Sequence, residues 1–248
     1  MIARVAELVN RAERILFITG AGLSADSGLP TYRGIGGLYE TEATDEGIPI
    51  EVAVSGHMLR QRPEICWKYI ARMEEAFRGA RHNRGHEVIA EIERRTEHVC
   101  VLTQNVDGFH LDAGSQNVIA IHGDIHELIC TECRDMFRVP HFEGMEIPPS
   151  CERCGGMVRP AVVLFGEMLP FDAVARLQGE LSRGFDLVFS VGTTSLFPYI
   201  AQPVIDAKRD RVPTVEINPG SSEVSTLVDI QIPERAKVAL EAILNAMD

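Results

Sequence analysis

The chain has 248 residues, 45% of them apolar and 24% charged, which excludes a disordered, fibrous or collagen-like polymer and suits one large domain or a principal domain with a smaller insert. Its longest apolar runs, at 15–18 and 187–191, fall far short of the roughly 20 residues that cross a bilayer, so no membrane span is expected. A net charge of −12 argues against binding nucleic acid through its phosphates and favours basic partners such as lysine-rich proteins.

The N-terminus mixes acid, base and apolar residues without a basic region, apolar core and cleavage site, so a cytoplasmic location is expected. Val5, Leu8, Val9 and Ala12 recur at helical spacing and predict a helix leading into a strand at Ile15-Leu16-Phe17-Ile18. That strand runs into Thr19-Gly20-Ala21-Gly22-Leu23-Ser24-Ala25-Asp26-Ser27-Gly28. Gly20 and Gly22 permit a tight turn and close backbone approach to a dinucleotide pyrophosphate, with a helix from near Ser24 directing its N–H groups at the anion. Ala25 takes the place of the third glycine, a tolerated variant. Taken alone, the motif also fits an ordinary strand-to-helix turn.

A hydride-transferring dehydrogenase would next show a second strand ending in an acid about 20 residues on. This chain has Leu29-Pro30-Thr31-Tyr32-Arg33-Gly34-Ile35-Gly36-Gly37, whose proline and glycines predict a long flexible loop. Such a loop would close over the nicotinamide half of NAD, with Arg33 near phosphate and Tyr32 near the ring; the alternative is a surface loop with a solvated arginine.

Further strands are predicted at 99–102, 118–121, 187–191 and 214–217, with helices at Val88–Arg95, Phe171–Ser182, Ile200–Arg209 and Ala236–Met247. Continuous apolar strands alternating with helices indicate an α/β, doubly wound parallel sheet. Two stretches break the alternation. One, from about Gly34 to Arg84, holds a helix around Pro63 to Ala76; the other runs from about Asp124 to Pro160. Both flank the nucleotide-binding half and would together form a small second domain.

Strand 99–102 delivers Thr103-Gln104-Asn105-Val106-Asp107 to the sheet edge that lines the ligand crevice in such folds, where Asp107 would accept a hydrogen bond from a carboxamide. Strand 118–121 delivers His122 to the same edge, where imidazole suits a general base, or else a capping or core role. Cys130-x2-Cys133, then seventeen residues, then Cys151-x2-Cys154 is the spacing of two thiolate knuckles around one zinc. Four protein ligands leave no open position, so the metal is expected to be structural. Cys66 and Cys100 stand in apolar surroundings as core residues. His57, His82, His86, His98, His110, His126 and His141 show no comparable cluster and are assigned structural or solvent-facing places.

Taken together these motifs resemble the sirtuins, the NAD-dependent protein lysine deacylases. The matching segments are Gly20 to Arg33, Thr103 to His110, Ile121-His122-Gly123, the four cysteines, Val162-Val163-Leu164-Phe165-Gly166-Glu167, Gly192-Thr193-Thr194-Ser195 and Ile217-Asn218, in the family's order over nearly the whole chain. The resemblance implies a Rossmann-like domain from residues 1–33, 85–123 and 161–248. It implies a small domain from a helical module with the cofactor loop, 34–84, and a zinc-binding module, 124–160. NAD would be consumed as co-substrate and one zinc ion would be structural. The acyl oxygen of an acyl-lysine peptide would attack the ribose carbon bearing nicotinamide, giving an alkylimidate. His122 would then act as base on a ribose hydroxyl, leading to free lysine and O-acyl-ADP-ribose.

By the same resemblance Asn105 and Asp107 would orient the nicotinamide end, and Arg33 and Gln104 would support ribose and phosphates. The cofactor segment Gly20, Ala21, Gly22, Ser24, Asp26 and Tyr32 would contact NAD, with Gly192, Thr193, Thr194 and Asn218 on the adenosine half. Val163, Phe165, Gly166 and Glu167 would form one side of a groove that pairs with substrate backbone. Acyl-lysine proteins would be the partners, and the chain would be a monomer.

The sequence departs from the family's common pattern. Tyr32 replaces phenylalanine, Val106 replaces isoleucine, and the segment after Gly192-Thr193-Thr194-Ser195-Leu196-Phe197-Pro198 is one residue shorter than usual. Tyr69-x-x-Arg72 resembles a pair that recognises succinyl and malonyl carboxylates, but counting from Pro63 and Trp67 puts Ile70 and Met73 at those positions. One residue on a helix is a rotation of about 100°. The pocket is therefore expected to be apolar and to take acetyl or a longer neutral acyl group. Desuccinylase or demalonylase specificity, protein ADP-ribosyl transfer at the same NAD site, and a non-catalytic NAD- or zinc-binding module stand as alternatives.

Overall fold

The computed structural model describes residues 1–30 and 44–247. In chain order the elements are α1 (Ile2–Arg11), β1 (Arg14–Thr19), α2 (Ala21–Ser24), α3 (Ile50–Ala53), α4 (Gly56–Gln61), α5 (Pro63–Phe77), α6 (Arg84–Arg95), β2 (His98–Thr103), α7 (Phe109–Asp112) and β3 (Val118–Ala120). They continue with β4 (Gly123–Cys130), β5 (Met136–Arg138), β6 (Val158–Val162), α8 (Phe171–Arg183), β7 (Leu187–Val191), α9 (Pro198–Arg209), β8 (Thr214–Ile217), β9 (Ile230–Ile232) and α10 (Ala236–Met247). No helix among the described residues is long and apolar enough to cross a membrane.

The apolar strands form a six-stranded sheet in the order β3-β2-β1-β7-β8-β9, every neighbouring pair parallel. Side chains alternate across it, as a pleated strand requires. Ile15 and Phe17 pack with α1, α6 and α10, while Leu16 and Ile18 pack with α8 and α9. Phe17 stacks on Phe189 of the adjacent strand at 4.7 Å between ring centroids. The chain winds outward in one direction through β2 and β3, and in the other through β7, β8 and β9. The reversal falls between β1 and β7, and ligands of doubly wound sheets bind outside the strand carboxyl ends at this point. The doubly wound class read from the sequence is the class observed.

A third core lies away from the sheet. It joins Trp67, Ile70 and Phe77 of α5 to Leu128 and Cys130 of β4, Phe142 and Val158, so the two stretches that interrupt the alternation pack on each other. Trp67, fully buried, donates its indole N–H to the Val158 carbonyl at 3.0 Å and meets Phe142 edge-on. There β5, β4 and β6 form a small antiparallel sheet around the cysteine knuckles. Among the elements not anticipated, α3, α4 and α7, of four, six and four residues, and β5 and β9, of three each, are too short to show periodicity; β4 and β6 lie in the stretch read only as a cysteine-bearing insertion.

Trp67→Ala would open a cavity at the junction of α5 with the small sheet and lose the bond to Val158. Chemical denaturation followed by circular dichroism is expected to show a loss of about 3–5 kcal/mol.

Candidate active site and metal centre

The turn after β1 is closed by backbone alone. Gly20 donates to the Val191 carbonyl at 3.1 Å and Gly22 to the Gly192 carbonyl at 2.8 Å, fastening the β1 turn to the β7 turn. A Cβ on Gly22 would lie 2.7 Å from the Gly192 Cα, and one on Gly192 would lie 2.5 Å from the Leu23 nitrogen. Gly192 also has a φ of +58°, which L side chains rarely adopt. The helix expected from near Ser24 begins earlier, at Ala21, and lasts one turn before a 3₁₀ turn over Ala25–Ser27. Close backbone approach, more than a long helix dipole, is what this turn offers a pyrophosphate.

A cavity of about 810 Å³ opens over this junction. Of the residues singled out in the sequence, Gly20, Ala21, Gly22, Gln104, Asn105, His122, Gly192, Thr193, Thr194 and Asn218 line it, as do Val163, Phe165, Gly166, Glu167, Ile70 and Met73. Ser24, Asp26 and Asp107 stand behind this lining, and Tyr32 and Arg33 lie outside the described residues. Phe197, Tyr199, Pro219, Gly220 and Arg235 also line the cavity and were not identified from the sequence. Arg235 is held by Asp26 at 2.7 Å, while the other oxygen of Asp26 accepts the Lys237 N–H.

His122 projects from the end of β3. Its Nδ1 is 3.0 Å from the Gln104 carbonyl, which can only accept, so the proton sits on Nδ1 and Nε2 carries the lone pair. Burial lowers its pKa below the ordinary 6.5, the bond to Gln104 working in the opposite sense. Gly123 follows at φ +84°, and a Cβ there would fall 1.9 Å from the Ala161 carbonyl oxygen. The chain can thus turn from β3 into β4 immediately beyond the histidine, and the His122 carbonyl accepts from Val163 at 2.9 Å.

Beneath the cavity lies a buried polar network. Ser24 Oγ donates to Asp107 at 2.7 Å and accepts from Asn105 at 3.1 Å, and Asn105 also donates to the Gly20 carbonyl at 3.0 Å. Burial raises the pKa of Asp107, opposed by its bond from Ser24 and by the Phe109 N–H. His86 Nδ1 accepts the Asn83 N–H, which leaves the neutral ring's proton on Nε2, facing Ser24 Oγ at 3.5 Å. His110 bonds Thr19 at 2.9 Å and meets the His86 ring at 5.0 Å. Both histidines are buried and neither is on the cavity lining. No sequence pattern signals that they adjoin Ser24 and Asp107, because their partners are distant in the chain.

Glu167 is gripped by Arg159 through two bonds of 2.6 and 2.9 Å and by the Leu164 N–H at 2.9 Å. Burial raises its pKa, but these partners hold it below the usual carboxylate range. Ile70 and Met73 face the cavity beside Val54, Ile125 and Leu164. Tyr69 instead bonds Glu46, and Arg72 bonds Asp45 at 2.7 Å. The rotation inferred from helix register is thus present.

The sulfurs of Cys130, Cys133, Cys151 and Cys154 all lie within 4.8 Å of one another, with 3.5 Å between Cys130 and Cys154 and 3.7 Å between Cys133 and Cys151. A tetrahedron with Zn–S bonds of about 2.3 Å has edges of about 3.8 Å, so four thiolates in this arrangement fit zinc. None of the four lines the cavity.

The chain is similar to known proteins over nearly its whole length. The model of the Sir2 family matches residues 20–197. The chain is 52% identical to an NAD-dependent protein deacylase 2 of Pseudomonas aeruginosa over 239 residues, 95% of this chain and 93% of that one. It is 36% identical to an NAD-dependent protein deacylase of Aquifex aeolicus, covering 93% and 94%. A solved Sir2 homolog–NAD complex superposes with a TM-score of 0.86 at 33% identity, covering 98% of this chain and 93% of that one. An ADP-ribose complex of a mutant Sir2 homologue gives 0.88 at 31%, covering 98% and 95%.

Two outcomes are expected from this geometry. Trp67, the chain's one tryptophan, packs in the same core as Cys130 and Cys151, so removing zinc with a chelator should red-shift its emission and lower the melting temperature; restored zinc should reverse both. Burial holds His86 down to about 2 and His110 to about 3. Below pH 6.5 the unfolded chain takes up protons that the folded chain does not. Stability should therefore fall with acidification from 6.5 toward 3, by about 1.4 kcal/mol per pH unit for each histidine. Urea denaturation across that range should show a shallower fall in His110→Gln than in the parent.

Proposed function

The chain belongs to the Sir2 family, and on that premise we propose that it consumes NAD to remove acyl groups from lysine side chains of proteins, preferring acetyl or a longer neutral acyl group. The observation that carries the reading is the convergence of the glycine turn, Asn105 and His122 on one cavity that Ile70 and Met73 also line. NAD, when bound, supplies a ribose carbon from which nicotinamide departs. The chain's own residues do the rest. Gly20, Ala21, Gly22, Gly192, Thr193, Thr194 and Asn218 hold the dinucleotide, with Gln104 braced on Thr193 at 2.8 Å. Ser24 and Asp107 position Asn105 at the nicotinamide end, and Asp26 positions Arg235.

His122 presents the Nε2 lone pair as the base for a ribose hydroxyl. Val163, Phe165, Gly166 and Glu167 form the peptide groove, whose shape the Arg159–Glu167 pair maintains. A succinyl or malonyl carboxylate would meet Ile70 and Met73 packed among apolar residues, with no cation among the described residues beside them, since Tyr69 and Arg72 are committed to Glu46 and Asp45. Burying such a charge unpaired is costly. Tyr32 and Arg33 belong to this reading as the loop over the nicotinamide half. The division into 1–33, 85–123 and 161–248 against 34–84 and 124–160, a monomeric state and a cytoplasmic location are parts of the same proposal.

Incubation with NAD and acetyl-lysine peptide should yield nicotinamide, free lysine peptide and O-acyl-ADP-ribose by mass spectrometry. Label from NAD fixed on protein would favour ADP-ribosyl transfer instead. Succinyl-lysine peptide should be processed at least about tenfold less efficiently; the reverse order would refute the apolar pocket. His122→Ala should lower turnover by about 10²-fold or more while calorimetry shows NAD binding retained. The acid limb of the parent's kcat/KM profile should lie below pH 6.5, because burial disfavours the imidazolium.

A further inference from the structure

The segment after Gly192 brings an unassigned side chain onto His122. Ser195 turns the backbone through φ +52°, Phe197 caps α9, and Tyr199 follows Pro198 as the second helical residue. A side chain there leans back toward the helix N-terminus. The Tyr199 ring accordingly stacks on Phe197 at 5.4 Å, and both rings stand edge-on to His122 at 5.9 Å. Tyr199 Oη lies 2.7 Å from His122 Nε2. The Nδ1 proton is engaged by the Gln104 carbonyl, so Nε2 is the acceptor and the phenol is the donor. Tyr199 and His122 line the same cavity, so the phenol is within reach of whatever His122 serves. Among the described residues, the two charged side chains on that lining are committed elsewhere, Glu167 to Arg159 and Arg235 to Asp26.

We infer that Tyr199 is a catalytic partner of His122, relaying the proton of the ribose hydroxyl to Nε2 through its own hydroxyl. The inference rests on the deacylase reading above. In the step, the ribose O–H bond breaks and its proton passes to Tyr199 Oη, while the proton already on Oη passes to Nε2. The electron pair left on the ribose oxygen forms the bond to the acyl carbon, whose π pair moves to the attached nitrogen. Tyr199 ends neutral and His122 ends as imidazolium, so no charge is stranded on the phenol. Burial pushes the phenol up to about 12, which keeps it protonated and able to donate at neutral pH.

Tyr199→Phe tests the relay, since it keeps the ring and its stack on Phe197 and removes one oxygen. Three measurements are made on parent and variant. In the ligand-free protein labelled with nitrogen-15 histidine, the Nε2 resonance of His122 should move toward that of an unbonded ring nitrogen in the variant. Exchange of labelled nicotinamide into NAD in the presence of acetyl-lysine peptide needs no base and should stay within about threefold of the parent. Formation of O-acyl-ADP-ribose should fall by about tenfold or more, within the range attributed to a positioned proton-transfer group.

Product formation within about twofold of the parent would overturn the relay. Loss of exchange and product together would make Tyr199 a structural residue and overturn it too. An unmoved Nε2 resonance would show that the hydrogen bond is absent, and the relay would fall with it. Failure of the deacylase reading would look different, because the parent itself would then release no O-acyl-ADP-ribose.

Discussion

Where the turns after β1 and β7 cross, the Gly22 N–H meets the Gly192 carbonyl at 2.8 Å, and no side chain fits on either residue. This contact sets the floor of the crevice. The two strands part company there in the winding of the sheet, so backbone on one side carries Asn105 and on the other carries Thr193 and, farther on, Tyr199. Gln104 spans the gap to Thr193 at 2.8 Å, and Asn218 reaches the Thr193 carbonyl at 3.0 Å from the neighbouring strand. Bulk at the crossing would force these two turns apart.

The network beneath that floor explains why the loop after β2 holds its shape without a helix of its own. Ser24, Asn105 and Asp107 satisfy one another, and the Asp107 carboxylate also takes the Phe109 N–H at 3.0 Å. Burying a carboxylate and two histidines costs stability in any fold. The cost is limited here because the histidines stay neutral: His86 meets Asn83 and Ser24, and His110 meets Thr19 through Nε2, although its buried Nδ1 has no partner among the described residues. Asn105, on the cavity lining, is thereby held from behind by Ser24, itself bonded to Asp107, and neither of those two lines the cavity.

The sheet was legible because long apolar strands and amphipathic helices leave strong periodic signals. Ile15 to Ile18 and Ala236 to Met247 stand where the pattern puts them, the helix with the very bounds expected. The cysteine spacing was legible because metal geometry constrains it. The glycine turn was legible in place but not in form, since a single helical turn at Ala21–Ser24 has no periodicity to read. His86 and His110 were legible only as histidines. Their partners are Ser24, Asn83 and Thr19, and the first and last of these lie far off along the chain. Tyr199 shows the opposite case: the segment after Gly192 was read as irregular, but that it sets the Tyr199 hydroxyl 2.7 Å from His122 is a property of the fold.

The apolar lining at Ile70 and Met73 depends on a smaller quantity, the pitch of one helix. Along α5 the cationic and phenolic groups of Lys68, Tyr69 and Arg72 turn toward Asp45 and Glu46, and Lys68 and Arg72 each lie 5.2 Å from the Tyr69 ring centroid. Ile70 and Met73 are one residue further on and so about 100° around the axis, which turns them to the cavity. The ion pairs are exposed and contribute little to stability. Their consequence is instead for the lining: with Arg72 engaged by Asp45, the described residues packed with Ile70 and Met73 at the cavity, Val54, Ile125 and Leu164, are all apolar, and the proposed preference for a neutral acyl group rests on that.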